Sequence, residues 1–213
     1  MNTIKSFNRI PQTKLVDFIV DILVKTKITP NQITLFSFIL GLLACCFFAF
    51  TSYPIIIIGA VLVYLSYIFD IADGTLARKK GLSSKTGEWY DKTADHILYT
   101  LLFISIPLGI YLRTGYSLIW MWGLIAFGAY ELSIIVQYNF KRIFLLANYE
   151  INKQRKSILR DLMFNDFFIF HSIIFFTVVN LIKYYPMFIA VYGWMFTILM
   201  IIVITRKVKK CLN

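Results

Sequence analysis

Phe69-Asp70-Ile71-Ala72-Asp73-Gly74-Thr75-Leu76-Ala77-Arg78, then after a polar connector Gly87-Glu88-Trp89-Tyr90-Asp91-Lys92-Thr93-Ala94-Asp95, sets four aspartates within 26 residues of a chain that otherwise reads as membrane. Ionisable groups near a bilayer are costly and mark functional positions. Asp70 and Asp73 are three apart and Asp91 and Asp95 four apart, so each pair shares one face of its own helix. Two such helices facing each other converge four carboxylates on one point. An all-oxygen ligand set suits Mg²⁺, Mn²⁺ or Ca²⁺ rather than zinc.

The remainder of the chain supplies the bilayer reading. Its 213 residues are 59% hydrophobic and 15% charged, against about 25% charged in average soluble domains. Six apolar runs, near 32–50, 54–74, 93–112, 117–139, 164–182 and 187–205, approach the roughly 20 residues that a spanning helix needs. Continuous apolar runs argue for helices rather than a barrel. The expectation is an all-α integral membrane protein: six transmembrane helices over 31–213, preceded by an N-terminal amphipathic juxtamembrane helix within 1–30.

A net charge of +11 suggests nucleic acid until its distribution is read. Twenty of the 22 Lys and Arg lie before residue 32, between 78 and 92, between 141 and 160, or after 205; only Arg113 and Lys183 fall on the other side. That asymmetry is a positive-inside signature, placing both termini and the acidic constellation on the cytoplasmic side of the cell membrane. The same collar attracts anionic lipid head groups. No separate basic domain exists to bind nucleic acid.

Within 1–28, Ile4, Phe7, Ile10, Leu15, Phe18, Ile19 and Ile22 alternate with charged residues, as in one or two amphipathic helices broken near Pro11. Such a helix lies in the interface or packs on the bundle, and the sequence leaves both open. Thr29-Pro30-Asn31-Gln32-Ile33-Thr34 leads into the first span, with Asn31 as the expected N-cap and Pro30 beside it. Cys45 and Cys46 read as apolar filler, and Cys211 as a thiol in a reducing cytosol. Neither a prenylation box nor a cleavable signal peptide is expected.

Around the acids, Ala72, Gly74 and Ala77 leave room for a phosphate to approach the backbone. Arg78 offers a planar donor fork. Ser83, Ser84, Lys85 and Thr86 add donors in the connector, and Gly87 is expected to permit the turn into the third span. Carboxylates, a metal, an arginine and a small-residue gap are the parts phosphoryl transfer requires.

The run Asp70-x2-Asp73-Gly74-x2-Ala77-Arg78-x8-Gly87-x3-Asp91-x3-Asp95 resembles the signature of the CDP-alcohol phosphotransferase (CDP-alcohol phosphatidyltransferase) family, with every position filled. The resemblance extends to the six spans, the juxtamembrane helix and the Thr-Pro-Asn lead-in. It implies that Asp70, Asp73 and Asp91, completed by Asp95, hold one or two Mg²⁺ or Mn²⁺ ions on the diphosphate of a CDP-linked lipid donor. It implies donor contacts from Asn31, Thr34, Asp70, Gly74, Ala77, Arg78 and Ser84. Asp95 would take the proton of an acceptor hydroxyl, whose oxygen attacks the phosphorus bearing the lipid while CMP leaves. A homodimer is compatible with the resemblance and with a bundle of this size.

Other polar residues carry competing readings. Lys141, Arg142 and Arg155, within the basic cluster at 141–160, either serve topology or line an acceptor pocket. The functional reading favours a phosphorylated polyol such as glycerol 3-phosphate or an inositol phosphate; serine, as in phosphatidylserine-type synthases, would need fewer cations. Glu88 reads as a solvated or pairing residue, and His96 and His171 as hydrogen-bonded bundle residues. Glu131 and Asp166 either pair with a basic residue or line the acceptor pocket. A cation-binding transporter is the rival from another class; it expects acids near the midplane in discontinuous helices.

Overall fold

The computed structural model describes residues 12–50, 52–146 and 166–212, with side chains at 14–50, 52–139 and 166–206. Every described element is helical: α1 Gln12–Val24, α2 Pro30–Ala49, α3 Tyr53–Lys80, α4 Lys85–Thr114, α5 Ile119–Leu146, α6 Asp166–Val178, a 3-10 turn Ile182–Tyr184, and α7 Tyr185–Leu212. Among the described residues, five stretches are long and apolar enough to cross a bilayer: Pro30–Ala49, Tyr53–Lys80, Lys85–Thr114, Ile119–Asn139 and Ile182–Arg206. Within the expected run at 164–182 the described residues form α6, a shorter apolar helix of 13 residues that rises about 20 Å. The chain is an all-α integral membrane protein.

Two compact units divide between Leu102 and Phe103, inside α4. In the first, small residues let α2 come close to its neighbours, as in membrane helix packing. A Cβ on Gly59 would lie 3.2 Å from the Cβ of Phe47, and one on Gly41 would meet Leu98 at 2.5 Å. Ser66 Oγ donates to the Ser37 carbonyl across the α2–α3 seam at 2.8 Å. The lipid-ward faces stay apolar, with Leu35, Ile39 and Leu43 exposed. α1 packs on α3 through Val16 and Val20, while Leu15, Phe18 and Ile22 remain exposed on its other face.

In the second unit α5 and α7 pack together. Trp194 Nε1 donates to the Ile125 carbonyl at 3.0 Å, and Phe168 stacks on Tyr192 with centroids 4.2 Å apart. His171 Nδ1 donates to the Phe167 carbonyl at 2.6 Å and its ring stacks on Phe167, which is the bundle role expected for it.

Two local expectations are corrected. The cap of α2 is Thr29, not Asn31. Thr29 accepts the Gln32 N–H while the Gln32 side chain takes the Thr29 N–H, a full capping box, and one helix end has one such position. The turn between α3 and α4 is made by Gly81, not Gly87. Gly81 sits at φ 66°, and Leu82 N–H returns to the Ala77 carbonyl at 2.9 Å, a left-handed helix stop that glycine adopts without a Cβ penalty. Gly87 lies in the first turn of α4.

Thr29→Ala should therefore cost about 1 kcal/mol and lower the thermal midpoint of the detergent-solubilised protein. Asn31→Ala, which removes no cap, should leave the midpoint in place. Equal midpoints for Thr29→Ala and the parent would contradict the capping assignment.

Candidate metal centre and adjoining cavity

α3 runs unbroken through Asp70, Asp73 and Gly74 to Lys80, unlike the interrupted helices a transporter reading expects. Gly81 then stops it, and only four residues separate it from α4. So short a link brings the polar end of α3 beside the start of α4. Asp70, Asp91 and Asp95 meet there: one carboxylate oxygen from each lies within 4.8 Å of the others, and all three residues are half-buried. Cation–oxygen bonds of about 2.0–2.6 Å allow two ligand oxygens to be at most roughly 4–5 Å apart, so the spacing fits one hard divalent ion.

Asp73 is placed differently from the expectation of four convergent acids. It is turned toward α2, buried to 4% exposure, and accepts the Thr34 hydroxyl at 2.5 Å. Three residues along a helix advance 300°, so Asp73 sits about 60° around from Asp70, enough to face a different neighbour. Asp73 and Asp91 both border a cavity of about 580 Å³, within the range of small-molecule sites.

The cavity wall contains the expected donor residues Asn31, Thr34, Gly74, Ala77, Arg78 and Ser84; Asp70 belongs to the acidic triad instead. Two helix N-termini contribute to it, Pro30 and Asn31 from α2 and Lys85 and Gly87 from α4, and helix N-termini favour anions. Ser84 Oγ accepts the Gly87 N–H at 3.0 Å, capping α4 and keeping its own O–H to donate. A Cβ on Gly87 would sit 3.1 Å from Ser84 Oγ and 3.4 Å from Asn31 Oδ1. Gly87 is thus a close-approach residue. At Gly74 the nearest atom to an added Cβ is Arg78 Nη1 at 3.5 Å, so its missing side chain is space left to the cavity.

Arg78 Nη2 donates to Thr75 Oγ1 at 3.0 Å, which holds the guanidinium on its own helix at the cavity wall. Lys92 also lines the cavity and approaches Glu88 at 3.9 Å. Lys92 is a cavity residue that the motif does not mark, its place next to Asp91 being the one signal for it, and Glu88 pairs with it as expected. The expected acceptor residues Lys141, Arg142 and Arg155 lie outside the described side chains. Glu131 and Asp166 lie on α5 and α6 in the second unit.

The family model for CDP-alcohol phosphatidyltransferases matches residues 27–205. The bifunctional IPC transferase and DIPP synthase of Aquifex aeolicus is 29% identical over 139 residues, 65% of this chain and 29% of that protein. The phosphatidylinositol phosphate synthase of Corynebacterium glutamicum is 37% identical over 98 residues, 46% of this chain and 44% of its own length. The matches thus span less than half of these relatives. The fold is shared with the Mycobacterium tuberculosis phosphatidylinositol phosphate synthase solved with CDP-DAG bound, at a TM-score of 0.58, 17% identity and 94% coverage of both chains. The same protein solved with manganese and citrate gives a TM-score of 0.57, covering 93% of this chain and 89% of that one. The matched span includes α2, α3, α4, the acidic triad and the cavity, and this chain belongs to the CDP-alcohol phosphatidyltransferase family.

Proposed function

We propose that the protein transfers a phosphatidyl-type group from a CDP-linked lipid to the hydroxyl of a phosphorylated polyol, releasing CMP, in phospholipid synthesis at the cytoplasmic face of the cell membrane. One observation carries the reading. An acidic triad with cation spacing adjoins a cavity walled by Arg78, Lys85, Lys92 and two helix N-termini. Carboxylates alone would repel a diphosphate and cations alone would hold no metal; the pairing suits a metal-bound diphosphate.

Asp70, Asp91 and Asp95 would hold Mg²⁺ or Mn²⁺, with Asp73 beside them at the cavity wall, bonded to Thr34 of α2. When bound, the ion supplies charge neutralisation for the diphosphate and for the departing CMP. Arg78 and Ser84 donate to phosphate oxygens, and Asn31 and Thr34 line the nucleotide side. Gly74 and Ala77 keep the wall low enough for the diphosphate to reach the backbone. Asp95 takes the proton from the acceptor hydroxyl. The acceptor oxygen bonds to the lipid-bearing phosphorus as the bond to the CMP oxygen breaks. No covalent enzyme intermediate is required.

An inositol phosphate is the acceptor this reading favours, supported by relatives named as phosphatidylinositol phosphate synthase and archaetidylinositol phosphate synthase. Glycerol 3-phosphate and serine are the competitors to exclude. The inward bias of Lys and Arg supports the cytoplasmic placement. A homodimer is the expected assembly.

CMP release from CDP-diacylglycerol with Mg²⁺ should occur with inositol phosphate and stop in EDTA. Asp95→Asn should lower turnover at least about a hundredfold, the low end for loss of a general base, with folding kept. Turnover unchanged in EDTA or in Asp95→Asn would overturn the mechanism, and turnover with serine alone would overturn the acceptor. Gly87→Ala should raise the donor KM more than it lowers kcat, because its Cβ presses on Ser84 and Asn31 rather than on the triad. Equal KM values would contradict that role.

A further inference from the structure

The link between α1 and α2 is held by a cation from α3 that none of the site chemistry uses. Lys80 Nζ donates to the Thr26 carbonyl at 2.7 Å and to the Ile28 carbonyl at 2.8 Å. Both acceptors lie just past the C-terminal end of α1, and Lys80 is the last residue of α3. The ammonium thus sits at the C-terminal end of α1, where the helix carries a partial negative charge. Next to it, Lys79 pairs with Asp21 of α1 at 2.7 Å, a more exposed contact. The carbonyl of Ile28 immediately precedes Thr29, the cap of α2. After it come Pro30 and Asn31 on the cavity wall, and Thr34, which bonds Asp73 and also approaches the Pro30 carbonyl at 3.2 Å.

We infer that Lys80 is a positioning residue for the nucleotide side of the cavity. By pinning the Thr26 and Ile28 carbonyls it fixes the lead-in to α2, and through it the places of Asn31 and Thr34. Val16 and Val20 hold the body of α1 on α3, so apolar packing seats the helix while Lys80 sets the path of the link. The link needs this device because its backbone carbonyls have no helix to satisfy them. A lysine reaches two of them at once by charge-assisted bonds. This rests on the proposed CDP-dependent function, and it adds a residue outside the signature that governs donor affinity without touching donor.

The test is CDP binding by the purified full chain in detergent with Mg²⁺, measured by titration calorimetry, beside thermal midpoints and transferase KM values. If Lys80→Met leaves the link seated about one-tenth of the time, CDP affinity falls about tenfold, since apparent affinity scales with the competent fraction. The donor KM should rise in parallel while the acceptor KM stays fixed. Lys80→Arg, which keeps a cation with several N–H donors, should restore most of the affinity. Lys79→Met, which breaks only the Asp21 pair, should keep it. Lys80→Gln provides a milder variant should Lys80→Met fail to fold, with a smaller loss of affinity expected. Parental CDP affinity in folded Lys80→Met or Lys80→Gln would overturn the inference while leaving the functional reading intact. So would equal rises in donor and acceptor KM. No CDP binding by the parent protein would overturn the functional reading, and this inference with it.

Discussion

Three carboxylate oxygens held within 4.8 Å of one another repel by roughly 3–4 kcal/mol per pair at an effective dielectric of 20. A fold that keeps them together must hold the α3–α4 corner against that repulsion or have a cation relieve it. The corner is braced, and its acids suit a cation. Gly81 stops α3 in a left-handed turn, Ser84 caps α4, and the four-residue link leaves neither helix room to swing away. The acids then provide an oxygen-only site for a hard divalent ion. Close packing of α2 at Gly41 and Gly59 supplies the third wall.

The corner presents both signs of charge. Asp73, Glu88 and Asp91 share the cavity wall with Arg78, Lys85, Lys92 and the N-termini of α2 and α4, and Asp91 joins Asp70 and Asp95 in the triad. Asp73, tied to Thr34, joins α2 to α3. A diphosphate with a metal ion likewise carries both signs. That correspondence, rather than any single residue, connects the fold to the proposed transfer.

Much of this was legible in the sequence because it depends on local periodicity. Offsets of three and four residues put Asp70 with Asp73 and Asp91 with Asp95, and the apolar runs fixed the spanning helices. The parting of Asp73 from the triad was not legible, since 60° of helix rotation decides nothing until the neighbour is known. Thr29 displaces Asn31 as the cap because the reciprocal bond with Gln32 favours the earlier residue. Gly81 and Gly87 both lie near the turn, and only the backbone angle separates them. Lys80 and the Asp21–Lys79 pair join residues more than fifty positions apart, and no local pattern announces such contacts. Similarly, the two open readings of the N-terminal helix share its faces: Val16 and Val20 are packed and Phe18 is exposed.

The central claim is that the α3–α4 corner is a divalent-metal site. Electron paramagnetic resonance of Mn²⁺ titrated into the purified protein tests it most directly. The account predicts one or two tightly bound Mn²⁺ per chain, lost in the Asp70→Asn, Asp91→Asn double variant and displaced by excess Mg²⁺. Unchanged Mn²⁺ binding in that folded double variant would contradict it.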